Sequence, residues 1–286
     1  MFSASLASFI MSQSYVTDHA LASRLERAEG RANVASVEAR AATDPRVGAT
    51  WIEVDGTLAM FDGPGSPITQ TFGLGMSAAP TTEALDAIES FFSSRGADTM
   101  HETCPLGDPT LLRLLPERGY RPIEQSTVLY QPLKSTMDSE LDDDARRSVR
   151  VTREDEALLW ATIGSRGWGS TPELAQFVLD FGRIYATAAG MTCFIAEWEG
   201  QPAAAAALSI QDGVAILAGA STIPEFRSRG LQTVLLRARL AHGARVGCDL
   251  AMMAALPGSG SQRNAERRGF RIGYTRTKWA LANAAS

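Results

Sequence analysis

The second half of the chain alternates between short apolar runs and segments of helical periodicity. Apolar runs at 192–198, 203–210 and 214–222 are separated by turns rich in Gly, Pro and Asp, which predicts three consecutive strands. Residues 231–244 place apolar side chains at helical spacing, and a short apolar run at 249–254 follows. This order of elements predicts a mixed α/β unit.

Further elements flank this pattern. Residues 261–268 are predicted to form a short helix with Ser261 as its N-cap, and a final strand is predicted over 271–281. Upstream, 154–163 and 172–189 are predicted to be helices. The second half therefore contains predicted helices before, between and after its predicted strands.

The connection between the third strand and the long helix carries the clearest chemical signal. Residues 227–232 read Arg-Ser-Arg-Gly-Leu-Gln. A strand that turns into a helix there directs backbone N–H groups and the positive end of the helix dipole at one point, which suits a pyrophosphate. Gly230 has no Cβ, so an anion can approach the backbone closely. For the hexapeptide alone, a solvated turn is the alternative.

This turn resembles the acyl-CoA-binding motif of the GCN5-related N-acetyltransferases (GNAT), which follows the pattern Gln/Arg-x-x-Gly-x-Gly/Ala. Arg227 and Gly230 match the pattern, and Gln232 departs from it. The short helix ending in Gly269-Phe270 resembles the family's second block. The resemblance implies an α/β fold with a mixed sheet and acetyl-CoA as the acyl donor. Arg227 and Arg229 are candidates for contacting its phosphates.

The first half repeats the same order more faintly. A hairpin over 51–61, a strand over 69–76 and a helix over 82–95 are predicted. Residues 96–100 mirror 247–251, and Tyr120 mirrors Phe270, at an offset of roughly 150 residues, about one domain. We therefore expect two tandem acyl-CoA N-acyltransferase domains.

A long helix precedes this hairpin. It is predicted over 20–42, and Gly30 costs it some stability. The predicted core contacts on its apolar face are Leu21, Leu25, Ala28, Val34 and Val37.

The first copy lacks the phosphate turn. The chain there reads Ser-Ala-Ala-Pro-Thr-Thr over 77–82, with no arginine and with Pro80 removing one amide. We expect a degenerate GNAT-like domain at 1–133, an acidic solvated linker at 134–147 and an acetyltransferase domain binding acyl-CoA at 148–286.

Composition narrows the class of protein. The net charge of −5 gives no electrostatic reason to expect nucleic acid, and no apolar run is long enough to span a bilayer. Residues 1–10 lack the positive residues of a signal peptide. The three cysteines have no metal or redox spacing. We expect a cytoplasmic enzyme without a metal; the oligomeric state is not encoded in any pattern found.

The resemblance implies direct acyl transfer in a ternary complex. The acceptor amine attacks the thioester, its proton goes to a base or a water chain, and a backbone N–H binds the developing oxyanion. The amide donor is expected at Ser221, Thr222 or Ile223. The base candidates are Glu197 and Glu225. The tyrosine that the family often uses as acid is replaced by Ala265, so Tyr274 is the substitute candidate, with a half-buried strand aromatic as the alternative.

The remaining site residues follow from the same resemblance. Asn264 is expected to hydrogen-bond the pantetheine arm, and Trp168, between two glycines, either closes over an acceptor or caps the core. The full set expected to bind the cofactor is Ser221, Thr222, Ile223, Arg227, Ser228, Arg229, Gly230, Leu231, Gln232 and Asn264.

Three functions are compatible with these motifs. The leading hypothesis is an N-acetyltransferase acting on the amine of a small molecule. The alternatives are a non-catalytic acyl-CoA sensor or scaffold and an aminoacyl transferase using charged tRNA, against which the acidic balance argues. The acceptor itself is not encoded in any motif, because one fold serves many substrates.

Overall fold

Eleven strands in one mixed sheet form the centre of the computed structural model, which describes residues 16–133 and 144–281. The helices are α1 (His19–Thr43), α2 (Thr82–Ser93), α3 (Leu111–Glu117), α4 (Ala157–Trp168), α5 (Pro172–Tyr185), α6 (Leu231–Arg245) and α7 (Gly260–Glu266). The strands of the first half are β1 (Thr50–Val54), β2 (Thr57–Phe61), β3 (Gln70–Phe72), β4 (Thr99–Thr103) and β5 (Arg121–Pro132). Those of the second half are β6 (Arg147–Val151), β7 (Met191–Trp198), β8 (Gln201–Gln211), β9 (Val214–Thr222), β10 (Leu250–Ala255) and β11 (Arg271–Leu281).

The two halves exchange their last strands. The sheet order is β1-β2-β3-β4-β11-β5-β10-β9-β8-β7-β6. β11 therefore pairs with β4 of the first half, and β5 pairs with β10 of the second half, both antiparallel. β5 and β11 also pair with each other at the centre. The repeat that the sequence predicts thus takes the form of two similar strand orders joined through crossed strands.

Two-residue turns fix the hairpins of both halves. Each turn places an acidic residue and then a glycine at positive φ, as type I′ turns require. The three pairs are Asp55-Gly56, Glu199-Gly200 and Asp212-Gly213. Because the second turn closes within two residues, β8 already begins at Gln201, whereas the apolar pattern places its start near 203.

Several predicted boundaries are wrong for local reasons. β3 ends at Phe72, not at 76, because Gly73 and Gly75 take positive φ and turn the chain away. The N-cap of α7 is Ser259, whose side chain accepts the Gln262 N–H, rather than Ser261. α5 ends at Tyr185.

Most of the predicted acidic linker lies outside the described residues. Residues 1–10, for which no signal peptide is predicted, also lie outside them. Arg147, which the sequence assigns to that linker, is the first residue of β6.

α1 covers the middle of one sheet face and connects the two halves. Leu21, Leu25 and Ala28 pack against strand residues of both halves, including Val128 and Ile216. Farther along, Val34 and Val37 pack on β2. On β5 and β9 the neighbouring residues Leu129 and Ala215 belong to the cluster under α6. Since successive strand residues point to opposite faces, α1 and α6 lie on opposite sides of the sheet.

None of the described helices is long and apolar enough to cross a membrane.

Candidate active site

The parallel strands β9 and β10 separate partway along their length. They pair only from Val214 to Ile216, opposite Leu250 to Met252. Just beyond, β9 contains a bulge, because Ala206 of β8 faces two residues of β9, Gly219 and Ala220. Gly219 has φ of 59°, and a Cβ there would lie 3.3 Å from the Trp160 ring. The bulge and the end of the β9–β10 pairing therefore leave a wedge between these two strands, lined by residues of β9, α6 and α7.

Two connected cavities occupy this wedge. The outer cleft has a volume of about 470 Å³ and is lined by Gly167, Trp168, Ala220, Ser221, Thr222, Phe226, residues 227–233, Gly260, Ser261 and Asn264. The inner cavity has about 130 Å³ and is lined by Trp168, residues 217–220, Gln232, Leu236, Arg239, Met253, Ala254, Ser261, Asn264 and Ala265. The charged residues of both linings are all arginines, although the chain is acidic overall.

Backbone amides at the start of α6 face the outer cleft without protein acceptors. Gly230 is the N-cap, has φ of 76° and offers no side chain to cap the helix. Ser228 also takes a positive φ, of 63°. Within the described residues, no amide from 228 to 232 donates a hydrogen bond to another protein group. Successive free amides at a helix N-terminus form an anion-binding concavity.

At the corresponding turn of the first half, a side chain caps the start of the helix. α2 begins after Thr81, whose hydroxyl accepts the N–H of Ala84. Pro80 precedes this cap and has no N–H to offer. The amides of this helix start are therefore partly used by the protein itself, unlike those of α6.

Three arginines surround the free amides of α6. Arg227 donates to the carbonyls of Gly167 at 3.0 Å and Thr222 at 3.4 Å. The Arg229 guanidinium stacks on the Trp198 and Phe226 rings at 4.9 and 5.2 Å from their centroids. Arg147 donates to the Arg229 carbonyl at 3.4 Å. Arg147 is not among the residues expected at this site, because an arginine that follows an acidic run gives no local sign of where β6 will place it.

Only part of the predicted oxyanion region faces the cleft. Ile223 is buried, and its N–H donates to the Ala203 carbonyl at 3.0 Å, so it is unavailable. Consecutive residues of a strand direct their N–H groups to opposite neighbours, so the N–H of Thr222 points away from β8. Of the three candidates, Thr222 thus offers an amide on the cleft side, and Ser221 lines the cleft beside it. All predicted cofactor-binding residues except Ile223 line the outer cleft.

Trp168 stands at the junction of the two cavities. Its side chain is 57% exposed, and its indole N–H donates to the Ala220 carbonyl in the bulge at 3.0 Å. Trp168 therefore lies exposed at the cleft and is not packed into the core.

The three predicted catalytic residues lie elsewhere. Glu197 accepts hydrogen bonds from Arg150 Nε at 2.9 Å and Ser148 Oγ at 3.0 Å at the β6–β7 edge. Glu225 is exposed and lies 3.4 Å from Arg166. Neither residue lines the outer cleft or the inner cavity.

Tyr274 packs under α1, on the opposite sheet face from the cleft, and donates to Glu26 Oε1 at 2.7 Å. Burial raises the pKa of this phenol well above its usual value. Tyr274 is near the motif along the chain, but strand exchange carries it to the sheet face under α1. Glu197 lies on a strand expected beside the acceptor, but its carboxylate is held at the β6–β7 edge. Glu225 precedes the motif directly, but it faces Arg166 and solvent.

A family comparison agrees with this geometry. The model of the acetyltransferase (GNAT) family matches residues 158–270, which include the wedge, the amide turn and α7. Residues 158–270 belong to the GNAT acetyltransferase family. No curated protein matches the sequence significantly. Within the described residues of this chain, no group of three or more His, Cys, Asp or Glu is placed to hold a metal ion.

Solved GNAT structures extend the likeness beyond this domain. A GCN5-related N-acetyltransferase from Kribbella flavida superposes with a TM-score of 0.64 at 17% identity, covering 91% of this chain and 95% of that one. A tandem GNAT protein from the clavulanic acid biosynthesis pathway gives 0.56 at 14%, covering 79% and 78%. A GCN5-related N-acetyltransferase from Sphaerobacter thermophilus gives 0.51 at 16%, covering 82% and 75%. At these identities the comparison shows a shared fold, which includes both halves of the chain.

Proposed function

We propose that the chain is an N-acyltransferase that transfers an acyl group, acetyl in the simplest case, from acyl-CoA to the amine of a small molecule. One observation carries this proposal: the backbone amides of 228–232 donate no hydrogen bond to another described protein group, and they face a cleft without acidic lining residues. A pyrophosphate fits such a site because it needs several N–H donors and no nearby negative charge.

In this proposal, different residues of the wedge bind different parts of acyl-CoA. The turn amides and the nearby Arg227, Arg229 and Arg147 hold the phosphates, and Asn264 bonds the pantetheine arm. The amine attacks the thioester carbonyl beside the bulge, where the Thr222 N–H stabilises the oxyanion as the thiolate leaves. Neither lining contains Asp, Glu or His, so we assign removal of the amine proton to water in the open outer cleft.

We further propose that the first half, 1–133, is a degenerate copy joined to the acyl-CoA-binding domain, and that this domain includes Arg147, which the sequence assigned to the linker at 134–147, because β6 begins there. The capped start of α2 supports this proposal, because its Thr81 hydroxyl occupies an amide that a phosphate would need. The role of the first half is then structural, since its β5 completes the sheet beside β10. The buried free thiols of all three cysteines agree with a reducing compartment such as the cytoplasm.

The placement of Glu197, Glu225 and Tyr274 outside the wedge favours one alternative, a non-catalytic acyl-CoA sensor. Release of free thiol from acetyl-CoA across a panel of amines separates the two functions. An enzyme releases thiol with at least one amine, whereas a sensor binds the thioester without turnover.

The cofactor site is tested by adding a charge at the turn. We expect Gly230→Asp to lower CoA affinity at least about tenfold, because the carboxylate fills the phosphate position and repels the phosphates. Gly247→Asp is the matched control. It lies beyond the other end of α6, also at positive φ, with no atom within 4 Å of a built Cβ. Titration calorimetry with CoA measures both variants; equal affinity in Gly230→Asp and the wild type would overturn the assignment.

A further inference from the structure

Arg239 is a buried cation at the wall of the inner cavity. It lies on α6, and its side chain is 4% exposed. Its Nη1 donates to the carbonyls of Ala207 at 3.2 Å and Ala218 at 3.3 Å, and its Nε donates to Leu235 of its own helix at 3.2 Å. These bonds hold the guanidinium beside the β9 bulge, at the inner end of the wedge.

The positive charge of Arg239 has no counter-ion in the described part of the chain. Among the described residues, no carboxylate contributes to the electrostatics of Arg239, and no acidic residue lines the inner cavity. Tyr185 is the one titratable group that acts on it, and burial raises the pKa of that phenol, so it stays neutral. Burial lowers the pKa of Arg239 to about 10, which still leaves it charged at neutral pH.

Carbonyl bonding does not require this charge. The neighbouring carbonyl of Ala206 is satisfied by a neutral donor, the indole N–H of Trp160, at 3.1 Å. A neutral side chain at 239 would serve Ala207 and Ala218 in the same way. A buried charge without a partner is costly, so its presence beside a cavity indicates that an anion of the ligand completes the site.

We propose that the inner cavity binds a carboxylate, carried by the transferred acyl group or by the amine acceptor, and that Arg239 is its counter-ion. This inference rests on the proposed acyl-CoA function, because the inner cavity continues the outer cleft through Trp168, Ala220 and Gln232. Ser261 and Asn264 also line both cavities and offer neutral hydrogen bonds to the same ligand. Arg239 therefore acts as a specificity-determining residue.

Two arms of one experiment distinguish the sources of the carboxylate. In the first, calorimetry compares succinyl-CoA with butyryl-CoA, which differ in the terminal carboxylate at equal chain length. In the second, protein saturated with CoA is titrated with a panel of amino acids and their amides. We expect about tenfold or more preference for the carboxylate form in one arm, the range of a charge-assisted hydrogen bond.

Variants at position 239 test whether the preference for the carboxylate form depends on the Arg239 guanidinium. Arg239→Gln keeps N–H donors for the carbonyls but removes the charge, and we expect its preference to fall to about twofold or less. Arg239→Lys keeps a charge and should retain part of the preference. Arg245→Gln, at the exposed end of the same helix, is the control and should behave as the wild type.

The outcomes separate this inference from the proposed function. Failure of the wild type to bind CoA at all would refute the acyl-CoA site. CoA binding without a carboxylate preference in either arm would overturn the assignment of Arg239 alone, as would an unchanged preference in Arg239→Gln. If Arg239→Gln does not fold, the wild-type and Arg239→Lys ratios still decide.

Discussion

Two buried arginines have opposite surroundings in this protein. Arg276 on β11 is 1% exposed and lies among three carboxylates, with Glu29 at 2.7 Å, Glu26 at 3.6 Å and Glu102 at 3.9 Å. Arg239 is also buried, at 4% exposed, but it bonds only to carbonyls. The first arginine has its counter-ions within the fold, and the second lies against a cavity. The residues next to them in sequence do not show which arginine has counter-ions. Only the groups that surround each side chain in the folded protein show this.

Glu26 makes stability depend on pH at the Arg276 cluster. Burial outweighs the attraction of Arg276 and raises the pKa of Glu26 to about 7. The folded state thus binds a proton at Glu26 more tightly than the unfolded state does. The contribution of this proton to the free energy of unfolding is therefore complete at low pH and is lost as pH rises through about 7. Glu26→Gln keeps an acceptor for Tyr274 but does not ionise. We expect the variant to gain stability relative to wild type between about pH 5 and pH 8, by on the order of 1–3 kcal/mol.

Urea unfolding at a series of pH values measures this difference. Glu38→Gln, on the exposed face of the same helix, is the control. A difference between Glu26→Gln and wild type that stays constant over that range would contradict the proposed burial of a neutral Glu26.

At the scale of elements, close packing decides the role of a helical glycine. By propensity alone Gly30 weakens α1. A Cβ at position 30, however, would lie 2.8 Å from Leu58 Cδ1 and 3.2 Å from Phe72 Cβ. The glycine therefore lets α1 approach β2 and β3 more closely than any other residue would, and the cost in helix propensity is offset by packing.

Substitution of Gly30 by alanine tests this reading. We expect Gly30→Ala to destabilise the protein by about 1–3 kcal/mol, the range for overpacking, despite a better helix former. Gly164→Ala in α4 is the matched control, because its Cβ would lie 3.8 Å from Val178, an ordinary contact. The control should be neutral or stabilising by up to about 1 kcal/mol. Thermal unfolding distinguishes them, and a stabilised Gly30→Ala would show that α1 shifts freely.

The whole molecule depends on the exchanged strands. β11 pairs with β4 and β5, and it carries Arg276 and Tyr274 to the contacts with α1. Deletion of 271–286 removes the strand that joins β4 to β5 and leaves the carboxylates around Arg276 without their counter-ion. We expect both halves to lose cooperative unfolding together, because β4 and β5 lose the backbone hydrogen bonds that they make with β11.

Circular dichroism and size-exclusion chromatography check this deletion. A chain that ends at residue 281, after the last strand, is the control. A cooperative melt of the shorter chain, with a folded second half that still binds CoA, would mean that the halves are independent.

The sequence by itself determined the local elements of this protein. Acid-glycine pairs set the tight hairpins, apolar periodicity set α1 and α6, and the Arg-x-x-Gly sequence set the glycine-capped start of α6, because each depends on residues close along the chain. The tertiary structure alone decided that the last strands cross between halves, that β9 and β10 separate at Gly219, and that Glu197, Glu225 and Tyr274 lie outside the cleft. These features arise from pairing and burial between distant segments, where local patterns carry no information about which strand or charge becomes the neighbour.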